Sequence, residues 1–389
     1  MKKMRFLIAA VLLAALTTAV LPAAEDLKGG EAHAPAVESG KRPVVQLALL
    51  LDTSGSMDGL IDQARTQLWK IVNEFISAKR HGQRPEVQVA LYEYGKASLP
   101  QSQNYLRQIV GFTTDLDKVS EALFALKTDG GEEYCGAVIQ RATADLGWSA
   151  NHEDLKAIYI AGNEPFSQGK VDYRQSCREA IAKGILVNTI FCGDLREGVN
   201  SHWKDGADLT DGRFMNIDQN KQVAAILAPQ DGELARLSGE LNKTYVAFGA
   251  RGQEQMDRQR KQDANAAAAA PEAAAARAET KASELYKQGD WDLVDAAKDG
   301  KANLAMLPAA ELPDAMKEMN AEERKAYVEG KAKERAEIQD KIKALSAERE
   351  KFVVAEQKKR AEAGEDTLDA AMIKTIRAQA EKKGFTFEK

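Results

Sequence analysis

The stretch LLLDTSGSMDGL, residues 49–60, places one carboxylate and two hydroxyls directly after an apolar run. Asp52 ends the run, and Ser54 and Ser56 follow at alternate positions in a predicted turn before a helix. Side chains at alternate positions of a tight turn can face the same side as the carboxylate. Carboxylate and hydroxyl oxygens are the hard donors that Mg²⁺ prefers, and Mg²⁺ keeps several waters in its shell. The stretch therefore predicts a small divalent-cation site, for Mg²⁺ or Mn²⁺, that is open on one side.

The same spacing argues against three other kinds of site. A phosphatase of the haloacid-dehalogenase type needs a second acid two residues after the first, where this chain has Ser54. A phosphate-binding P-loop needs a following lysine, and a nucleophile elbow needs the spacing G-x-S-x-G; neither is present here. A serine that simply caps the next helix is the remaining alternative.

Residues 44–249 alternate between strand-like and helix-like segments. Such alternation predicts an α/β domain with a largely parallel sheet between helices, whose ligands bind at the carboxyl edge of the strands, where Asp52 lies. The predicted strands are Val44–Leu51, Val87–Tyr94, Leu106–Thr114, Ala157–Ala161, Ile185–Cys192, Arg213–Ile217 and Thr244–Phe248. The predicted helices are Leu60–Lys79, Leu116–Leu126, Gly136–Leu146, Tyr173–Lys183, Val223–Leu227 and Glu233–Asn242.

The motif D-x-S-x-S after an apolar strand resembles the metal-ion-dependent adhesion site (MIDAS) of von Willebrand factor A (VWA) domains. The resemblance extends over residues 44–249 and implies a Rossmann-like, mostly parallel sheet flanked by helices. It also implies non-enzymatic, metal-dependent binding of a protein ligand, which offers an acidic or carbonyl oxygen to the ion.

Two further loops of the family carry a threonine and an aspartate, and this chain departs from the pattern at both. The loop TDGGEEYCGAVIQRA (128–142) has Glu133 at the threonine position, and IYIAGNEPF (158–166) has Gly162 at the aspartate position. One carboxylate is gained and one is lost, so the resemblance implies a rewired site. The predicted metal ligands are Asp52, Ser54, Ser56 and Glu133.

The N-terminus has the order of a secretory signal peptide. Basic residues precede the apolar run Phe6–Leu21, and the small residues Ala23 and Ala24 follow it. We therefore expect a signal peptide over residues 1–24, a spacer over 25–43, and a periplasmic or secreted protein with no membrane span after cleavage. An uncleaved N-terminal anchor is the alternative.

The part of the chain after the predicted VWA domain has a different composition. Residues 250–281 are rich in Ala and Gln and are predicted to be a linker. Residues 282–389 are predicted to be helical, with a long charged helix at Asn320–Ala363 and a last helix at Leu368–Lys383. The long helix has a weak heptad seam, since Arg349 interrupts Ile338, Ile342, Leu345 and Phe352. Self-association through this tail is one interpretation, and a solvated helical hairpin is the other.

Three cysteines occur in the predicted VWA domain. An exported protein meets an oxidising compartment, so one disulfide and one free thiol are expected. Cys177 and Cys192 fall at the same end of adjacent predicted elements and form the favoured pair. Cys135–Cys192 is the competing pair.

Composition and charge argue against some classes of function. The net charge of −5, with no basic stripe, argues against a nucleic-acid-binding protein. No recognisable acid–base pair accompanies the predicted ion, so we expect a binding protein and not an enzyme. The alternative is a metal-independent structural or assembly scaffold of the cell envelope that acts through the helical tail.

Overall fold

The computed structural model describes residues 42–217, 226–362 and 368–388, with the side chains of 360–371 excepted. The described residues belong to a single structural unit that spans Arg42–Lys389. The predicted signal peptide and nearly all of the predicted spacer lie outside them. Within the described ranges, no helix combines the length and the apolar character that crossing a membrane requires.

A six-stranded, mostly parallel sheet lies at the centre, in the order β4-β3-β1-β5-β6-β7. β4 runs antiparallel to β3, and the other neighbouring strands are parallel. A short strand near the C-terminus, β8, pairs antiparallel with β2 outside this sheet. The strands are β1 (Val44–Asp52), β2 (Ala78–Lys79), β3 (Glu86–Tyr94), β4 (Leu106–Thr113), β5 (Leu155–Gly162), β6 (Leu186–Cys192), β7 (Phe214–Ile217) and β8 (Thr386–Phe387).

Helices cover both faces of the sheet, as the continuous apolar sequence of β1 requires. Alternate residues of β1 enter the two hydrophobic cores, which α1, α2 and α12 complete on one face and α3, α4 and α6 on the other. The helices are α1 (Asp58–Asn73), α2 (Leu116–Ala125), α3 (Cys135–Asp145), α4 (Tyr173–Ala182), α5 (Leu195–Asn200), α6 (Trp203–Asp208), α7 (Asp231–Asn242), α8 (Gly252–Ala269), α9 (Pro271–Lys281), α10 (Leu293–Lys298), α11 (Ala321–Glu362) and α12 (Leu368–Lys382).

Several predicted boundaries differ from the structure. The predicted first helix extends to Lys79, but α1 ends at Asn73, and after a turn Ala78–Lys79 form β2, for which β8 supplies the partner strand. The predicted edge strand Thr244–Phe248 is reduced to one isolated bridge between Ala247 and Asp292. The predicted helix Val223–Leu227 lies mostly outside the described residues, and its last two residues are not helical.

The predicted linker 250–281 is folded in the structure as α8 and α9. Arg277 on α9 is 1% exposed, and it donates to Asp117 on α2 over 2.6 Å and to the Asp263 carboxylate on α8. Its guanidinium also stacks on Trp69 of α1, with 4.7 Å to the ring centroid. The Ala-rich sequence allows these helices to approach closely, so this segment continues the folded unit.

The long helix α11 uses its apolar seam within the chain. Val328 and Ile342 are buried in clusters that helices α7, α9 and α10 help to form. Arg335, which lies between these two residues in sequence, is buried and donates a hydrogen bond to the Asp292 carboxylate over 2.7 Å. Arg349, which interrupts the predicted heptad, pairs with Asp231 of α7 over 2.6 Å. This part of the seam therefore faces the chain's own helices.

The last helix returns to the central sheet. Ile376 and Ala380 of α12 are fully buried, and Phe385 is 2% exposed, in the core between the sheet and α1. Gln379 exchanges two hydrogen bonds with Asn188 of β6, over 2.7 and 3.1 Å. The predicted division of the chain at residue 249 is thus corrected, because residues between 372 and 385 complete the core of the sheet.

Candidate metal centre

Asp52 is the last residue of the central strand β1 and is fully buried. Its Oδ1 atom accepts a hydrogen bond from the backbone N–H of Ser54 over 2.7 Å. Its Oδ2 atom is buried and has no hydrogen-bond partner among the described residues. A buried carboxylate oxygen without a partner is costly, so this atom is a candidate ligand for a cation.

The two serines lie in the turn that joins β1 to α1. Ser54 is buried, Ser56 is exposed, and their hydroxyl oxygens are 3.4 Å apart. The Asn163 side chain, which follows β5, donates to the Ser56 hydroxyl over 3.2 Å. The structure therefore brings both predicted hydroxyls to the carboxyl edge of the sheet beside Asp52, together with an amide that the sequence analysis did not identify.

Glu133 reaches the same place from the loop before α3 and is 6% exposed. Its Cγ atom and the Asp52 Oδ1 atom lie 2.8 and 2.6 Å from the point where a Cβ on Gly95 would stand. Gly95 follows β3 with a φ of +81°, so it provides the space in which the two acidic side chains meet. Gln168 fixes the loop, because it accepts from the Glu133 N–H over 3.0 Å.

Both carboxyls have a higher affinity for protons than usual. Burial, with the charges of Glu133 and Glu164, raises the pKa of Asp52 to about 7, against hydrogen bonds from Ser54. Burial, with the charges of Glu164 and Glu132, raises the pKa of Glu133 to about 7. A cation at this place would offset both the desolvation and the mutual repulsion.

The residues present fit a small divalent cation with a mixed donor set. Asp52 and Glu133 supply carboxylates, and Ser54 and Ser56 supply neutral oxygens. In the ranges that the structure describes, no cluster of three or more His, Cys, Asp or Glu side chains is placed to hold a metal. An ion here would therefore depend on hydroxyls and water for most of its shell, as Mg²⁺ commonly does.

Four aromatic residues lie near this edge of the sheet, and they differ in exposure. Phe166 and Trp203 are fully buried and pack edge to face, with ring centroids 4.9 Å apart. Tyr134 is partly exposed and packs against Tyr105. Tyr134 and Tyr105 therefore form an accessible aromatic pair at the rim, and Phe166 and Trp203 stabilise the loops below it.

The predicted Cys177–Cys192 disulfide is not formed, and neither is the competing Cys135–Cys192 pair. All three cysteines are buried free thiols. Cys192 faces the core shared with α1 and α12, whereas Cys135 and Cys177 belong to the core on the other face of the sheet. The sequence predicted only that Cys177 and Cys192 lie at the same end of neighbouring elements. Whether they share a face of the sheet depends on which way the Cys192 side chain points, because side chains alternate along β6.

Residues 47–161 match the family model of the von Willebrand factor type A domain. The match covers the chain from β1 to β5 and includes all four predicted metal ligands. Together with the strand order, it identifies the central sheet and its helices as a VWA fold. No curated protein sequence matches the chain.

Solved structures with this fold share little sequence with the chain. The VWA domain of SpRpn10 is 18% identical, over 48% of this chain and 100% of that one, with a TM-score of 0.34. The conserved hypothetical protein BatB from Bacteroides thetaiotaomicron is 15% identical, over 45% of this chain and 90% of that one, with a TM-score of 0.34. Proximal thread matrix protein 1 from the mussel byssus, with a zinc-occupied MIDAS motif, is 13% identical over 46% of this chain, with a TM-score of 0.33. The alignment covers 43% of the mussel chain, less than half its length.

Proposed function

We propose that the chain is an exported, non-enzymatic binding protein that holds a divalent cation, Mg²⁺ or Mn²⁺, and binds a protein ligand through it. The observation that carries this proposal is the buried Asp52 carboxylate, whose Oδ2 atom has no hydrogen-bond partner among the described residues and whose Oδ1 atom shares the space at Gly95 with Glu133. The hydroxyls of Ser54 and Ser56 lie in the turn that follows it. VWA domains commonly bind proteins, so a ligand at this edge of the sheet agrees with the fold.

In this proposal, Asp52 and Glu133 are the charged ligands of the ion, and the hydroxyls of Ser54 and Ser56 are its neutral protein ligands. When bound, the ion would supply Lewis acidity toward an oxygen of the partner. Asn163 positions Ser56 through its hydrogen bond, and Gln168 holds the loop that carries Glu133. Ser54 orients Asp52 through its backbone N–H.

The alternative, a metal-independent scaffold that acts through the helical tail, has less support. The apolar seam of α11 is covered by α7, α9 and α10 up to Ser346. Beyond it, Val354 is 51% exposed and would be the place for self-association. The experiment below separates the two functions, since the scaffold predicts no response to metal.

The test is isothermal calorimetry and thermal unfolding of the exported chain with Mg²⁺, Mn²⁺ and a chelator. An ion that binds only the folded state adds about 2.7 kcal/mol at a hundredfold excess over Kd, so the melting temperature should rise and chelator should reverse the rise. Asp52→Asn and Glu133→Gln should remove the response, whereas Glu337→Gln, an exposed site on α11, should keep it. Absence of any cation response in the wild type would contradict the proposal.

The protein ligand requires a second experiment. An envelope extract is passed over the immobilised chain with Mg²⁺ and eluted with chelator. The expected result is one or more proteins that are retained with the ion, released by chelator and lost from the Asp52→Asn column. Equal retention by wild type and Asp52→Asn would show that the ligand does not bind at the metal.

A further inference from the structure

Asn163 brings a second unpartnered oxygen to the candidate metal centre. Its Oδ1 atom is buried, and no described residue donates a hydrogen bond to it. The Asp52 Oδ2 atom has the same property. A polar oxygen that is withdrawn from water and left without a donor costs free energy in the folded state. Asn163 therefore offers a neutral amide oxygen, which is one of the oxygen types that bind hard cations in proteins.

The backbone places Asn163 next to Asp52. Asn163 follows Gly162, the last residue of β5, and the Asp52 Oδ2 atom lies 3.0 Å from the point where a Cβ on Gly162 would stand. The loop that begins at Asn163 is fixed from below, because the buried Trp203 indole N–H donates to the Glu164 carbonyl over 2.8 Å. The Asn163 side chain therefore starts from an anchored position beside the unpartnered carboxylate oxygen.

The Asn163 amide also reaches the two serine hydroxyls. Its Nδ2 atom donates to the Ser56 Oγ atom over 3.2 Å, and the Ser56 and Ser54 Oγ atoms are 3.4 Å apart. Each oxygen of an octahedral Mg²⁺ shell lies about 2.0–2.1 Å from the ion, so neighbouring oxygens are about 2.9 Å apart. The three side chains thus lie within about half an ångström of the spacing that adjacent ligands need.

Only the orientation of the amide is unsuitable for a cation. The nitrogen end faces Ser56, and an amide N–H is a donor that cannot coordinate a metal. A rotation of 180° about the Cβ–Cγ bond exchanges the two ends and leaves the backbone in place. The present orientation is held by one hydrogen bond of 3.2 Å within the described part of the chain. A contact between the oxygen and a cation would compensate for the loss of that bond.

Asn163 also completes an exchange of donor types between two loops. The family pattern has a neutral threonine in the second loop and an aspartate in the third, where this chain has Glu133 and Gly162. Asn163, one residue after Gly162, returns a neutral oxygen to the third loop. The chain then offers two carboxylates, from Asp52 and Glu133, and three neutral oxygens, from Ser54, Ser56 and Asn163. The number of donors of each type is the same as in the family pattern.

We propose that Asn163 is a fifth protein ligand of the cation. Before the ion binds, the amide N–H orients the Ser56 hydroxyl; when it binds, the amide turns and Oδ1 becomes a ligand beside Ser56. This inference rests on the proposed function and deepens it. It requires that the oxygen of residue 163 is used, whereas a role limited to positioning Ser56 requires the N–H.

The test is calorimetric titration of Mg²⁺ into the full exported chain and two variants of Asn163. Asn163→Leu has neither end of the amide and should bind Mg²⁺ at least about tenfold more weakly than the wild type. Asn163→Asp keeps an oxygen but has no N–H to donate, and it should bind Mg²⁺ within about threefold of the wild type or more tightly. If Asn163→Asp is as weak as Asn163→Leu, the residue acts through its N–H and the inference is wrong.

Two controls separate coordination from the added charge of Asn163→Asp. Cobalt hexaammine does not exchange its ligands, so it responds to charge but cannot be coordinated by the protein. Asn163→Asp and Asn163→Leu should differ at least about tenfold toward Mg²⁺, but about fivefold or less toward cobalt hexaammine. Asn320→Asp adds the same charge at an exposed helix cap and should bind Mg²⁺ like the wild type. An equal difference between the Asn163 variants toward both ions would contradict coordination by residue 163.

The outcomes also separate this inference from the proposed function. If the wild type binds no Mg²⁺, the proposed metal function is wrong and this inference fails with it. If the wild type and Asn163→Leu bind Mg²⁺ equally well, the metal function stands and only the role of Asn163 is rejected. Thermal unfolding in chelator shows whether each variant is folded. If Asn163→Leu is not, the comparison of Asn163→Asp with the wild type toward both ions still decides.

Discussion

The Tyr94 hydroxyl lies 2.6 Å from the position that a Cβ on Gly162 would occupy. Tyr94 ends β3, is fully buried, and donates to the Ala161 carbonyl over 2.9 Å. The Asp52 Oδ2 atom is 3.0 Å from the same position. The space that a side chain at residue 162 needs is therefore already filled, which explains why glycine stands where the VWA pattern has an aspartate.

We predict that Gly162→Ala destabilises the chain by about 1–3 kcal/mol, the usual cost of overpacking a core. Gly162→Asp should cost more, because it also adds a carboxylate beside Asp52. In a Tyr94→Phe background the cost of Gly162→Ala should fall, since the hydroxyl is absent. Urea unfolding of the four chains in this double-mutant cycle measures the coupling. Additive effects would show that Tyr94 does not set the identity of residue 162.

A second prediction concerns the return of the C-terminal helix. Ile376 is fully buried between the sheet and α1, so Ile376→Ala should lower the free energy of unfolding by about 2–5 kcal/mol. Val354→Ala on α11 is the control, because Val354 is 51% exposed and its truncation should change stability by about 0.5 kcal/mol or less. Urea unfolding followed by tryptophan fluorescence measures both. Similar small effects for the two variants would show that α12 does not belong to the core.

A third prediction concerns Arg277, which joins α9 to α2 and α8. Arg277→Met would leave the buried Asp117 without its cation, whereas Asp263 keeps Lys281 at 2.8 Å, so the variant should cost about 3–5 kcal/mol. Adding Asp117→Asn to Arg277→Met should recover part of this loss, because it removes one uncompensated charge. Chemical unfolding of the single and double variants provides the coupling energy. A double variant that is as unstable as the sum of its parts would contradict the predicted network.

The fourth prediction is a pH dependence from Glu279 on α9. Burial, with the repulsion of Glu350 and Glu74, raises the pKa of Glu279 to about 7, although Arg349 opposes the rise. A raised carboxyl pKa in the folded state means that stability falls as pH rises from the unfolded pKa, about 4.3, to about 7, and is level above it. Glu279→Gln can still accept from Asn73, which donates to Glu279 over 3.2 Å, and it removes the titrating charge.

The gain in stability from Glu279→Gln should therefore be small at pH 5 and largest at pH 8, on the order of 1–3 kcal/mol. Thermal unfolding of the variant and of the wild type across this range measures it. Glu337→Gln is the control and should show no pH-dependent gain. A constant difference between Glu279→Gln and wild type at all pH values would mean that Glu279 is ionised throughout.

Much of the VWA fold could be predicted from the sequence because its signals are local. The apolar run before Asp52 identifies a strand that is covered on both faces, and the structure has β1 at Val44–Asp52. The helices Leu116–Leu126, Gly136–Leu146 and Tyr173–Lys183 agree with α2, α3 and α4 within two residues. The hydrophobic pattern of each of these segments, and the turn or cap beside it, can be read from adjacent residues in the sequence.

The same reasoning led to errors where a distant segment decides the structure. The strand β2 exists because residues 386–387 pair with it, and no local pattern indicates that partner. The Ala-rich segment 250–281 has the composition of a linker, but Arg277 pairs with Asp117, 160 residues away in sequence, and this contact packs the segment as helix against the domain. Asn163 and Gln168 lie beside the candidate metal centre, but they belong to no sequence motif that would have predicted this position.

The sequence by itself determined the donor types at the site and their order on the chain: one carboxylate, two hydroxyls and a displaced glutamate. Tertiary structure decided what those residues can do. It buries Asp52 with one oxygen that has no partner in the described part of the chain, and it brings Glu133 and Asp52 together at Gly95. It also fills the space at Gly162 with the Tyr94 hydroxyl. It also puts Cys177 and Cys192 on opposite faces of the sheet and returns α12 to the core. These outcomes depend on burial and contact between strands far apart in sequence, because desolvation and steric exclusion act through space and have no local signature.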